Sequence, residues 1–310
     1  MSLHRITDIT LGVPDLREAI EYYTQFGLIA QPVGQNGDQW FGTVDGGDRQ
    51  LRLVRAPVRR LVSLGIGADD LDDLSRITAA LQRLQVASHI EDNALFTKEP
   101  ITGLDVTVSV VPRVIPKSFV LPAYNYPGSI GRPNDRAPAA LRTAPVRPRR
   151  LGHIGIGSVD SSTTRRFFME GLGFKLSDQV KDYATFMRCS TDHHNVVVQT
   201  APVNFLHHTS WEVEDIDEIG RGARAMLEGH PERHTWGIGR HWVGSNFFYY
   251  FRDPAGNLSE YYSDMDEIND DQLWKPGVFE VAEAANVWGP PMPPSLIEPD
   301  DLAELMAGLH

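Results

Sequence analysis

Cysteine is almost missing from this chain: Cys189 is the only one in 310 residues. No intrachain disulfide can form, which fits a reducing compartment. Long apolar runs are missing as well. Nothing approaches the ~20 consecutive apolar residues of a membrane-spanning helix. Met1-Ser2-Leu3-His4-Arg5 leads into no apolar signal core. Basic clusters are the third lack. Lys and Arg number 29 against 41 Asp and Glu, a formal net charge of −12. Phosphate backbones need Lys and Arg, so the charge argues against nucleic acid as a partner and against an anionic membrane surface. The expectation is a cytoplasmic protein. What is present is ordinary for a globular chain: 41% hydrophobic and 23% charged residues, over a length of about two domains.

The chain is written twice. Shifted by 145 residues, Ile9 falls on Ile154, Gly12 on Gly157, Asp15 on Asp160 and Tyr22-Tyr23 on Phe167-Phe168. Phe41 falls on Phe186, Ala56-Pro57 on Ala201-Pro202, and Asp70-Leu71-Asp72 on Asp215-Ile216-Asp217. Register kept over that distance means repeated structural units. Each half splits again into a strand, an Asp-bearing turn, an amphipathic helix and further strands. The fold class expected is α+β: four βαβββ modules paired into two similar cup-shaped domains. The module pairs are placed at 1–111 and 151–263. Between them, 112–150 holds eight of the 21 prolines and reads as an extended connector, because proline cannot donate to a sheet ladder. Residues 264–310 form a C-terminal extension whose Trp288 and Met292 point to packing over the body.

Four polar positions break the match between halves. His153 becomes Asp8, His208 becomes Ser63, His194 becomes Arg49, and Glu260 falls near Thr107. Core residues are needed in both copies, whereas a site need survive in only one. His153, His208 and Glu260 each lie in a stretch that reads as a strand. Two imidazoles and one carboxylate on one face of a metal leave the other face open, the ligand set of non-haem Fe(II) sites. A lone His in a strand is more often a satisfied polar group than a ligand, so it is the joint pattern that carries this reading. Spacing alone does not decide which of His207 and His208 points inward. Phe247–Arg252 and Leu258–Tyr262 read as a hairpin around Asp253-Pro254-Ala255-Gly256-Asn257. Tyr250 would then face Glu260, with Cβ atoms roughly 5 Å apart. Trp211, Trp236, Trp242 and Phe247 are candidates for a pocket wall, or for core.

Three segments carry a family likeness. They are Leu151-Gly152-His153-Ile154-Gly155, Leu206-His207-His208-Thr209-Ser210, and Gly239-Arg240-His241 followed by Phe248 to Glu260. The chain resembles the type I extradiol ring-cleaving dioxygenases of the vicinal oxygen chelate (glyoxalase/bleomycin resistance/dioxygenase) superfamily. The resemblance implies that His153, His208 and Glu260 hold Fe(II), with Mn(II) as the other candidate. It implies that His194, in Cys189-Ser190-Thr191-Asp192-His193-His194, is an acid/base, and that His241 and Tyr250 hydrogen-bond the oxygens of a catechol. The implied reaction is extradiol (meta) cleavage of a catecholic aromatic with O2 to a ring-opened semialdehyde, in aromatic degradation, by a homo-oligomer. One departure stands out. Relatives often carry an acidic residue shortly after the His matching His241, where this chain has Trp242-Val243-Gly244-Ser245-Asn246. The same superfamily offers two alternatives: a glyoxalase-like isomerase, which generally takes four protein ligands, and a metal-free binding protein of the bleomycin-resistance type.

Overall fold

Four aspartates start four helices, and each marks one module of the computed structural model, in which residues 3–34, 37–118 and 122–307 are described. Met1 and Ser2 of the leader reading, and the last three residues of the extension, lie outside them. Asp15, Asp70, Asp160 and Asp215 accept from the backbone N–H three residues on, at 3.0, 2.9, 3.0 and 2.8 Å. An N-cap carboxylate satisfies an otherwise orphaned donor and favours the positive helix end. The capped helices are α1 (Leu16–Gln25) and α2 (Leu71–Arg83) in the first half. After the short connector helix α3 (Pro138–Leu141) come α4 (Ser161–Arg166), which runs on into a π-helical turn, and α5 (Ile216–Leu227).

Around them the strands repeat one plan. The first half has β1 (Leu3–Val13), β2 (Ile29–Ala30), β3 (Gln39–Thr43), β4 (Gly47–Arg55), β5 (Arg60–Ala68), β6 (Ser88–Glu91), β7 (Ala94–Lys98) and β8 (Asp105–Val110). The connector holds a small ribbon, β9 (Asn125–Tyr126) with β10 (Ser129–Ile130). The second half has β11 (Arg150–Ser158), β12 (Lys175–Val180), β13 (Ala184–Arg188), β14 (Val196–Thr200) and β15 (Phe205–Glu212). It continues with β16 (His234–Arg240), β17 (Phe247–Arg252), β18 (Leu258–Ser263) and β19 (Val278–Phe279). The first sheet runs β2-β3-β4-β1-β5-β8-β7-β6, and the second runs β12-β13-β14-β11-β15-β18-β17-β16 with β19 added beside β12. The orders are the same, so each half is a βαβββ pair joined through its two opening strands.

The halves pack through one continuous apolar core. Phe26 stacks on Tyr261 at 4.1 Å between ring centroids. Hydroxyls cross as well: Tyr22 Oη lies 2.5 Å from Ser259 Oγ, and Tyr23 donates to Asp253 at 3.0 Å. The extension crosses the second half with α6 (Val281–Ala284) and α7 (Leu302–Ala307), and the buried Arg59 of the first half grips Asp301 through two hydrogen bonds of 2.6 and 2.8 Å. Among the described residues, no helix is long and apolar enough to cross a membrane.

Candidate metal centre

Strand register brings the candidate ligands together. His153 on β11 pairs with Ser210 on β15, Ser210 pairs with Glu260 on β18, and Glu260 pairs with Tyr250 on β17. These four residues form one rung across four strands. His208 lies two residues before Ser210, hence on the same face. Ser210 is small, and the longer side chains on either side meet over it. His153 Nε2 lies 3.2 Å from Glu260 Oε2, and His208 Nε2 lies 3.8 Å from the same oxygen. One donor atom from each of the three residues falls within 4.8 Å of the others, and all three side chains are buried. In the first half the same rung reads Asp8, Gly65, Thr107 and Phe96, with no imidazole and its carboxylate on another strand.

Hydrogen-bond partners assign the histidine tautomers. His207 Nε2 lies 2.5 Å from the Leu296 carbonyl, and a carbonyl only accepts, so that nitrogen carries the proton. Burial lowers the His207 pKa to about 4, so the ring is neutral and its Nδ1 is a bare acceptor. His208 Nδ1, 2.6 Å away, must donate to it. This leaves His208 Nε2 as a lone pair, buried with no hydrogen-bond partner among the described residues, and Glu260 Oε2 is equally orphaned. A ligating histidine needs this arrangement: one nitrogen anchored as a donor, the other free. Buried orphans of this kind are rare without an ion or water. The donor set therefore fits a divalent metal. Burial opposes charge on Glu260, but the neighbouring His153, His241 and His208 rings outweigh it and hold the carboxyl far below the usual range. Burial, then the His207 and His153 rings, keep His208 neutral.

Gly155 on β11 makes room for this ring. A Cβ there would lie 2.5 Å from His208 Nδ1, where no real Cβ can sit. Gly155 pairs with His208; at the corresponding place in the first half Thr10 pairs with Ser63. The bulky imidazole and the missing side chain thus exchange together. Comparing the two halves of the sequence position by position holds this signal, and sequence reasoning passed over it.

The remaining predicted residues line a cavity above the trio, about 740 Å³ counting its open mouth. His194 faces it from the turn after β13, its ring 4.2 Å from that of His153. Burial, then the His153 and His193 rings, push its pKa well below the imidazole range. Tyr250 Oη lies 3.2 Å from His241 Nε2. The other nitrogen of His241 donates to the Ala285 carbonyl at 2.7 Å, so Nε2 is an acceptor and Tyr250 is the donor. The partner that orients His241 is thus a backbone oxygen of the extension. Asn246 points elsewhere, donating to Glu260 Oε1 at 3.3 Å, and Ser245 donates to Asp266 at 2.8 Å.

Of the four aromatic wall candidates, only Trp236 lines the cavity. Trp211 packs against Phe26 between the halves, Trp242 is exposed, and Phe247 lies under the Arg240 guanidinium. Tyr183 and Phe186 add further aromatic wall, and much of the rest is aliphatic. Val180, Ala184, Val197 and Val243 come from the body, while Val281, Ala284, Met292 and Leu296 come from the extension. Sequence reasoning did not assign the extension to the site, because its irregular backbone carries no period to read.

Residues 150–261 match the Glyoxalase/Bleomycin resistance protein/Dioxygenase superfamily. Over 307 residues the chain is 29% identical to metapyrocatechase 2 of Cupriavidus necator, covering 94% of this chain and 91% of that one. It is 25% identical over 274 residues to biphenyl-2,3-diol 1,2-dioxygenase of Paraburkholderia xenovorans strain LB400, covering 84% and 88%. Among solved structures, the Mn(II)-bound glyoxalase of Novosphingobium aromaticivorans superposes with a TM-score of 0.76 at 24% identity, covering 96% of this chain and 94% of that one. That last likeness is one of fold.

Proposed function

We propose that this chain is an extradiol dioxygenase of the glyoxalase/bleomycin resistance protein/dioxygenase superfamily, whose family model its residues 150–261 match. Its reaction would open a catecholic ring beside the two hydroxyls, using O2, to give a semialdehyde in aromatic degradation. The observation that carries the reading is the buried trio with bare donor atoms at His208 Nε2 and Glu260 Oε2, set under an apolar cavity. The names of the two relatives point to the same chemistry.

His153, His208 and Glu260 would hold the ion, Fe(II) by preference and Mn(II) as the other metal this set accepts. One carboxylate would leave a net charge of +1. When bound, such an ion supplies the electronic coupling between an electron-rich diol and O2 that no side chain can provide. The chain's own residues do the rest. Val180, Val197, Val243 and Leu296 offer a flat ring a dry, apolar slot. His241 Nε2, held as an acceptor by Ala285, is set to take a catechol proton. Burial, then the Glu260 charge, hold the Tyr250 phenol well above its usual pKa, so it keeps its proton at working pH and would turn it from His241 Nε2 to the catechol oxygen as that nitrogen accepts the catechol proton. His194 stands across the cavity as the acid/base that handles the later proton.

The test is metal content after anaerobic reconstitution with Fe(II), then oxygen uptake with catechol and methylcatechols and a scan for yellow ring-opened product. One iron per chain with substrate-dependent uptake is the expected result. Protein that retains no iron refutes the reading.

A further inference from the structure

Behind His194 lies a buried chain of two more groups. His193 is fully buried, and its Nδ1 lies 3.0 Å from His194 Nδ1. Its other nitrogen lies 2.9 Å from Asp178 Oδ2 on β12. Asp178 is itself buried, and its Oδ1 accepts the Gly277 backbone N–H at 2.6 Å. Trp274 packs on the His193 ring and Phe186 on the His194 ring. Neither Asp178 nor His193 lines the cavity or belongs to the ligand trio. By the offset that aligns the halves, these three positions hold Val33, Asp48 and Arg49 in the first half. The chain is thus confined to the half that carries the trio.

The direction of these hydrogen bonds follows from chemistry. A carboxylate only accepts, so His193 carries its proton on Nε2. In that tautomer His193 offers a lone pair at Nδ1, and His194 donates from its own Nδ1. His194 Nε2, the nitrogen left for the cavity, makes no hydrogen bond among the described residues and in this tautomer carries no proton. We propose that Asp178 and His193 are positioning residues that fix the tautomer of His194, so that its cavity-facing nitrogen is delivered as a base. When His194 Nε2 takes a proton from a substrate O–H, an N–H bond forms as the O–H bond breaks. The Nδ1 proton can then pass to His193 Nδ1, and the positive charge comes to rest beside the Asp178 carboxylate. The return of the proton reverses each step. The structural assignment stands on these contacts alone; its catalytic consequence rests on the dioxygenase reading.

The experiment reads the protons directly. The full-length, metal-free chain is labelled with 15N at its histidine rings, and long-range 15N–1H correlation reports the tautomer of each. The His194→Asn spectrum identifies the His194 signals. The expected wild-type state is Nδ1–H for His194 and Nε2–H for His193. Asp178→Asn keeps the shape and reverses the chain. The Gly277 N–H holds the amide oxygen in place, so the amide NH2 faces His193 Nε2, His193 donates from Nδ1, and His194 switches to Nε2–H. His193→Phe, which keeps a buried ring, serves if that variant fails to fold; with no acceptor left for Nδ1–H, His194 again moves to Nε2–H. In reconstituted Asp178→Asn, kcat should fall about 100-fold or more, with KM and iron content unchanged. His194 already in the Nε2–H form in the wild type, or unmoved in both variants, overturns the proposal. A wild-type chain that consumes no oxygen sinks the dioxygenase reading while leaving the tautomer result intact.

Discussion

Replacing Gly155 with alanine adds a single methyl group, and its effect can be worked out from the contacts. The new carbon would lie 2.4 Å from His208 Cε1 and 2.5 Å from Nδ1, where ordinary contact begins at 3.4 Å. The ring must therefore retreat by about 1.0 Å. It is not free to do so, because Nδ1 is tied to His207 at 2.6 Å, and His207 is tied to the Leu296 carbonyl at 2.5 Å. Either the ring moves and breaks this chain, or the strand bends. Overpacking of this kind costs about 1–3 kcal/mol of stability. Disturbing the support of a metal ligand costs about 10–100-fold in affinity. Gly157→Ala is the control: on the same strand, its added methyl would meet the Phe205 ring instead. Both variants should lose a similar amount in thermal unfolding. Only Gly155→Ala should lose metal affinity, measured by titrating Mn(II) and following the EPR signal of the free ion. Gly155→Ala with wild-type affinity would refute the claim that this glycine makes room for the ligand.

Other outcomes follow from the same contacts. His208→Ala or Glu260→Gln should leave no retained metal by mass spectrometry and no oxygen uptake. Tyr250→Phe should keep its metal and lose turnover by about 100-fold or more, read as oxygen uptake per bound iron. Asp8, which stands where the second half has His153, has its pKa raised by burial against the opposing Thr7 hydrogen bond. A folded-state pKa above the unfolded one means that stability is greatest below the unfolded value and is lost as pH rises through the folded value. Asp8→Asn should therefore raise Tm at pH 7 relative to wild type, and the difference should vanish toward about pH 4. Tyr23→Phe removes a donor from buried Asp253 and should cost about 1–3 kcal/mol in urea unfolding.

The fold was legible in the sequence because duplication preserves what packing needs. The apolar and turn residues that match at the 145-residue offset are the ones that build two sheets of the same order. The pairing of Tyr250 with Glu260 was legible too, since the Asp-Pro-Ala-Gly-Asn turn fixes its hairpin and the hairpin fixes the register. Less of the site's surroundings could be read. Trp211, Trp242 and Phe247 looked as suited to a pocket wall as Trp236, because aromaticity alone does not say which face is enclosed. The carbonyls of Ala285 and Leu296 set two histidine tautomers, yet a backbone oxygen has no signature in a sequence. The Asp178–His193 contact joins a strand to a turn and exists only once the sheet has closed. The exchange of Gly155 and His208 for Thr10 and Ser63 was available, but it needed pairing partners and not single positions to be compared.

Strand β18 serves two masters on its two faces. Ser259 and Tyr261 turn to the other half, where they meet Tyr22 and the Phe26 carbonyl. Glu260, between them, turns to His153. Side chains alternate along a strand, so a slip of one residue would exchange the two faces completely. Docking the halves correctly and pointing the carboxylate correctly are therefore the same event. On the proposed reading, a chain that takes up metal would report that its two halves have found each other. Metal uptake during refolding would then read out assembly, although the first half lends no residue to the trio.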